Sequence, residues 1–183
     1  MENTDSAAAQ AASQLTKLVQ HFVELPAGRR TGRTAPVRSI ENTAPLNIDT
    51  VSHIDASVRE IRDYMHAESP GTLEPLPHTA AAVYDWCVRN TATDDDTAKR
   101  RRDTIIYRQY LEHATMTGDA QVVRRHRCPG CGTVGLHWRD AVQRAVCRNH
   151  NCRTPDGRAS TWTLAHLAHE HIERQERLAA RAT

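Results

Sequence analysis

Five cysteines occur in 183 residues, and four of them form two close pairs: Cys128-x2-Cys131, fifteen residues, then Cys147-x4-Cys152. Two pairs separated by one hairpin's length are the sequence form of a tetrahedral metal site, in which four deprotonated sulfurs close the coordination sphere of Zn²⁺. The first pair lies in Cys128-Pro129-Gly130-Cys131-Gly132. Proline fixes one backbone angle and the glycines admit positive φ, so backbone N–H groups can turn towards the sulfurs. The second pair is wider than the common two-residue gap and encloses His150, which leaves open a ligand set with His150 in place of Cys152 or Cys147. Thiolate is the softer donor, so the expected set is Cys128, Cys131, Cys147 and Cys152 around one structural zinc. Cys87 lies on an apolar helical face and reads as a buried core thiol, since the sequence places no activating group beside it.

The other residues able to do chemistry are the histidines of His166-x-x-His169-x-His171, with Glu170 between them. Zinc proteases need two His four residues apart with Glu next to the first, and that spacing is absent. An exposed, partly protonated cluster is expected. No Ser/His/Asp order, phosphate-binding Gly loop or carboxylate pair stands out. Four cysteines would leave the metal no open position for water. The chain is therefore expected to be non-enzymatic and to take no small-molecule substrate.

The elements around the cysteines follow from periodicity. Val134, Leu136 and Trp138 alternate with Gly135, His137 and Arg139, the period of a strand with one buried face. Asp140 to Val142 can turn, Gln143 to Cys147 can return, and Ser160 to Thr163 with Trp162 can add a third strand. Residues 122–165 thus read as a three-stranded zinc ribbon, its metal replacing a core that so few apolar residues cannot supply. Thr161 or Thr163 can cap an amphipathic helix over 163–183, with Leu164, Leu167, Ala168, Ile172 and Leu178 on one stripe. No Gly-containing turn and second helix follow it, so a helix-turn-helix is rejected.

Upstream, residues 1–25 read as a helical segment, capped by Asp5 or Ser6, with Leu15, Leu18, Val19 and Phe22 on one stripe. Residues 26–45 read as a mobile Arg/Pro linker without apolar period. A helical domain is expected over 46–121. Its first helix, about 47–67, spaces Val51, Ile54, Val58, Ile61 and Met65 as the seam of a helical pair. Its second, about 79–90, turns Val83, Trp86 and Cys87 inward. Its third, about 96–117, follows Asp94-Asp95-Asp96, which suit the positive helix end, and carries Ile105, Ile106, Tyr110, Leu111 and Ala114 on its apolar side. Lys99 to Arg102 read as a solvated face partly paired with those aspartates. The fold class is mainly α with a small β zinc ribbon.

The charge is uneven. The net charge of +2 divides into +6 over residues 120–183, which hold eleven Arg against five Asp/Glu, and −4 over the rest. The thiolates of a four-cysteine zinc site subtract about 2 from the basic part. Arg124, Arg125, Arg127, Arg139, Arg144, Arg148 and Arg153 surround the hairpin, and arginine contacts phosphate in bidentate fashion. No apolar run approaches the roughly 20 residues that span a bilayer, and no apolar segment follows the acidic start Met1-Glu2-Asn3-Thr4-Asp5. A cytoplasmic protein without membrane association is expected.

The segment Cys128-Pro-Gly-Cys-Gly, Cys147-Arg-Asn-His-Asn-Cys152, Gly157 and Trp162-Thr-Leu-Ala-His-Leu-Ala168 resembles small zinc-ribbon proteins encoded by actinobacterial phages and prophages. Ala44-Pro45-Leu46-Asn47 and the amphipathic helix after it are also similar to them. The resemblance implies a helical N-terminal part joined to a C-terminal ribbon, and no activity. The ribbon by itself is similar to those of transcription factors. Two functional classes follow: nucleic-acid binding or a role associated with transcription, and a zinc-stapled protein–protein adaptor or virion-associated factor.

Overall fold

The computed structural model describes residues 2–24, 48–68, 71, 75–92 and 94–182. The linker expected over 26–45 lies outside them. Among the described residues six helices and three short strands follow in order: α1 Glu2–Glu24, α2 Ile48–Glu68, α3 Ala82–Asn90, α4 Asp96–Met116, α5 Gln121–Arg124, β1 His137–Arg139, β2 Arg144–Val146, β3 Thr161–Trp162 and α6 Leu164–Ala182. The protein is mostly helical, with one small antiparallel sheet ordered β1-β2-β3. Among the described residues no helix is long and apolar enough to cross a membrane.

Helix α4 is the shared element. Asp95 caps its N-terminus, its carboxylate accepting from Thr97 N and Ala98 N, a contribution of about 1 kcal/mol. Helix α1 packs on α4 and α3, and α6 packs on α4. On one side, Ile106 of α4 joins Ala8, Ala11, Leu15, Ile61, Met65, Val83, Tyr84, Trp86 and Cys87 in a helical core. On the other, Tyr107, Leu111 and Ala114 join the sheet, the cysteines and α6 in a second core. Two packed sides explain why α4 buries polar residues as well: Arg102, Gln109 and His113 are all buried. An apolar stripe alone did not foretell them.

Several expectations shift in detail. Helix α1 starts at Glu2, ahead of the expected cap at Asp5 or Ser6. Its Ala-rich start has high helix propensity, and acidic residues there suit the positive end of the helix. Its buried stripe is Ala8, Ala11, Leu15 and Leu18, while Val19 is exposed; the side chain of Phe22 lies outside the described residues. The α2 seam packs within the chain at its C-terminal half, where Ile61 and Met65 are buried, and opens to solvent at Val51, 38% exposed. The basic run of α4 is not simply a solvated face. Lys99 pairs with Asp96, but Arg100 reaches Glu176 of α6 at 2.8 Å and Arg101 reaches Glu68 of α2 at 3.2 Å, while Arg102 bonds Asp103. Asp119 to Arg125, which leads into the cysteines, contains the short helix α5.

Between α2, α3 and α4 lies a polar network. Tyr84 donates to Gln109 Oε1 at 2.9 Å, and Gln109 Nε2 donates to Ser57 O at 3.1 Å and Glu60 Oε2 at 2.9 Å. Arg108 donates to Glu60 and to Glu112. His113 is fully buried, its Nε2 3.3 Å from Ser57 Oγ and its ring edge-on to His53 at 5.2 Å. Burial, with His53 and Arg108 adding to it, pushes the His113 pKa down to about 3. His113 is thus neutral when folded and titrates near 6.5 when unfolded, so stability is complete above pH 6.5 and falls as pH drops towards 3. Near pH 5.5 this one group contributes roughly 1 kcal/mol of lost stability per pH unit. Chemical denaturation of His113→Gln between pH 6.5 and 5 should show a slope shallower by about that amount; an unchanged slope would refute the assignment.

Candidate metal centre

The sheet that carries the cysteines is too short to hold itself. Strands β1 and β2 have three residues each and β3 has two, where free-standing sheets need longer, well-packed strands. The register pairs His137 with Val146, Trp138 with Ala145, and Arg139 with Arg144. Ala145 and Val146 then pair with Trp162 and Thr161. Trp138 and Ala145 are buried, and His137, Arg139 and Arg144 face out. Leu136 is fully buried as the alternation requires, but Val134 is exposed and only bridges Arg127 before the strand begins. The turn is a 3₁₀ turn over Asp140–Val142, closed by Gln143 in the left-handed region at φ 50°. Trp138 anchors it, its Nε1–H donating to Asp140 at 2.7 Å.

The two cysteine pairs meet at one end of this sheet. The four sulfurs of Cys128, Cys131, Cys147 and Cys152 all lie within 4.8 Å of one another. Cys128 and Cys152 are 3.7 Å apart at sulfur, as are Cys131 and Cys147. A disulfide would need about 2 Å, so these are free thiols. A tetrahedron with metal–sulfur bonds of about 2.3 Å has edges of about 3.8 Å, which the two separations of 3.7 Å match. Among the described residues, these are the only three or more His, Cys, Asp or Glu ligand atoms so gathered. His150 is exposed and not part of the group.

Local bonds explain each loop. Gly132 N donates to Cys128 O at 2.8 Å and Cys128 N to Thr133 O at 2.9 Å, which needs the positive φ of 72° at Gly132. The wider second loop is held by Asn149, whose carbonyl accepts from Cys152 N and whose side chain accepts from Asn151 N. Asn149 also aims its backbone N–H at Cys147 Sγ, 3.4 Å away, and its amide at Cys131 Sγ. Gly130 is glycine for a reason of space: a Cβ there would sit 3.3 Å from the Trp162 ring and 3.6 Å from Cys152 Sγ. Hydrogen bonds from Thr133 bring the Cys131 thiol down to about 6, while burial pushes Cys147 up to about 12. A cation among the four sulfurs would favour their thiolate forms together. That donor set suits a soft or borderline divalent metal.

The seven arginines divide. Arg124, Arg139 and Arg148 line one depression of about 340 Å³ together with His137, and Arg148 and Arg153 line its neighbour, the two sharing Cys147 and Arg148. Arg144 stands directly opposite Arg139 across the hairpin. Arg127 and Arg153 brace loops: Arg127 donates to Gly132 O, and Arg153 to His150 O and Gly157 O. Arg125 lines a separate cavity.

The C-terminal histidines do not form one cluster, because successive positions on α6 face different neighbours. His166 stacks on Trp162, exposed His169 pairs with Glu173, and His171 stacks on Tyr107. Thr163 caps the helix, its Oγ1 accepting from His166 N. Sequence reading missed His126 and Tyr107, which meet His171. His126 sits in a short segment with no period, and its only signal was its place inside Arg124-Arg125-His126-Arg127.

No family model, curated protein or solved structure matches the chain.

The geometry predicts about one divalent metal per purified chain by elemental analysis. Cys131→Ser should lose it. Because three of the cysteines lie in the core shared with α4 and α6, metal removal should also lower the thermal midpoint of the whole chain. Full stability in a chelator would show that the four thiols bind nothing structural.

Proposed function

We propose that the chain is a non-enzymatic, cytoplasmic zinc-ribbon protein that binds nucleic acid through the outer face of its hairpin, in the phage or prophage setting suggested by the sequence resemblance. The observation that carries the reading is the pairing of Arg139 with Arg144, with Arg124 and Arg148 lining a depression beside Arg139. Like charges directly opposite on a sheet are destabilising. Among the described residues none of these four arginines has a carboxylate within ion-pair distance. A polyanion lying across this face would offset the repulsion, with the guanidinium groups contacting phosphates.

Zinc is the metal that four cysteine sulfurs at these separations favour. Its part is structural: it fixes the two loops and thereby the strands that present the arginines. Four protein ligands fill the coordination sphere, which supports a non-catalytic role. The face offers arginines and His137 but no aromatic platform for base stacking, so contacts to backbone phosphate would outweigh reading of sequence.

The alternative, a zinc-stapled protein–protein adaptor, draws on Val134 and Val142, two exposed apolar residues at the outer loops of the ribbon, 52% and 57% exposed. A salt series separates the two. Four phosphate contacts give a log–log slope of about −3 to −4 for duplex DNA. Arg139→Ala should weaken binding across sequences and flatten the slope by about 1. Absence of DNA and RNA binding by the zinc-loaded chain at low salt would overturn the nucleic-acid reading and leave the adaptor.

A further inference from the structure

A second basic site lies between α4, the segment after α5, and α6, apart from the hairpin face. Its floor is a packed set of rings. Tyr107 and His171 stack with centroids 4.1 Å apart and planes 5° from parallel. His126 stands edge-on to both, with its Nε2 3.2 Å from the Tyr107 hydroxyl. The floor opens into a cavity of about 180 Å³ whose remaining wall includes Arg125, Arg127, Arg174 and Glu170.

Three features make this more than a gap in packing. First, three guanidinium groups converge on it against one carboxylate. Arg125 and Arg127 flank His126 in sequence, and Arg174 follows His171 by three residues on α6, which places both on one helix face. Among the described residues, neither Arg125 nor Arg174 has an ion-pair partner. Arg127 gives one N–H to Gly132 O and keeps the rest of its donor fork. Second, Gln175 Nε2 lies 2.9 Å from His171 Nε2. The amide donates, so the neutral ring carries its proton on Nδ1, a donor with no hydrogen-bond partner among the described residues. Third, the volume is below the roughly 300 Å³ at which pockets for drug-sized ligands begin. It suits a compact oxyanion, and arginine forks match the geometry of phosphate oxygens.

We propose that this cavity binds a phosphate group, held by Arg125, Arg127 and Arg174 at its rim and by the His171 ring from its floor. The phosphate can be free in solution or terminate a nucleic-acid strand; both offer the same tetrahedral oxyanion. Burial and the neighbouring Arg174 hold His171 below its ordinary pKa, so the imidazole acts as a hydrogen-bond donor and the arginines supply the charge. Glu170 opposes a second anion and so favours a single phosphate over an extended strand. The site does not depend on the hairpin face: Arg124, Arg139, Arg144 and Arg148 contribute nothing to it.

The test is calorimetric titration of the metal-loaded full chain with inorganic phosphate, alongside two oligonucleotides of one sequence, one with a 5′-phosphate and one with a 5′-hydroxyl. Phosphate should bind. Arg174→Ala should weaken it at least about tenfold, since one charge-assisted hydrogen bond is worth about that much. Arg125→Ala, on an exposed segment, should do so without altering metal content or fold. Arg139→Ala with Arg148→Ala should leave phosphate affinity unchanged, even if nucleic-acid binding is lost. Preference for the 5′-phosphorylated oligonucleotide would identify a strand end as the source, and equal affinity for both would identify free phosphate. No heat at millimolar phosphate, or affinity indifferent to both Arg174→Ala and Arg125→Ala, would overturn the proposal.

Discussion

Four sulfurs held within 4.8 Å of one another are the constraint on which the C-terminal half depends. Their protein surroundings do not favour a common protonation state, since Thr133 stabilises the Cys131 thiolate while burial opposes ionisation of Cys147. A divalent cation would resolve that conflict by adding positive charge at the centre. Three strands of two or three residues would then be tied by coordination rather than by their own ladder. Trp162 illustrates the consequence. It belongs to the smallest strand, yet it covers Gly130 on one side and stacks on His166 on another, so the cysteine loops, the sheet and α6 close on one ring.

Helix α4 transmits that closure to the rest of the chain. Tyr107 and Leu111 belong to the core that contains the cysteines, and Ile106, one residue earlier, belongs to the helical core. A helix packed on two sides cannot segregate polar from apolar residues by one stripe. It buries Gln109 and His113 instead, and satisfies them largely through Tyr84, Ser57 and Glu60. The histidine Nδ1 is left without a partner. Such a network fixes the placement of α2 and α3 more narrowly than apolar contact would, because each hydrogen bond tolerates little displacement.

Local chemistry made part of this legible in the sequence. Cys128, Cys131, Cys147 and Cys152 announced their grouping by spacing, Leu136 and Trp138 announced their burial by period, and Thr163 was one of two caps the sequence offered, the other, Thr161, lying in β3. What stayed hidden was tertiary. Arg100 and Arg101 looked like residues of a solvated face, and their partners Glu176 and Glu68 lie 76 and 33 residues away. His166, His169 and His171 looked like a cluster because they are close in sequence. On a helix that spacing sends them around the axis, to Trp162, Glu173 and Tyr107 in turn. His126 and Tyr107 gave no sign of belonging together, since the loop that brings them into contact has no periodicity to read.

The same limit applies to charge. The balance of +6 over residues 120–183 suggested one basic surface, but eight of its eleven arginines divide among three different placements. Arg127 and Arg153 brace backbone carbonyls in the loops beside the cysteines. Arg124, Arg139, Arg144 and Arg148 gather at the hairpin face, while Arg125 and Arg174 turn towards the cavity on Tyr107 and His171. Net charge sets how strongly the segment attracts an anion from a distance. Which anion it retains is decided by the smaller groupings, because guanidinium forks discriminate only within hydrogen-bond reach. The short segment from Arg124 to Arg127 sits where the groupings meet, contributing Arg124 to the hairpin face and Arg125 and Arg127 to the cavity, while one N–H of Arg127 also braces a loop.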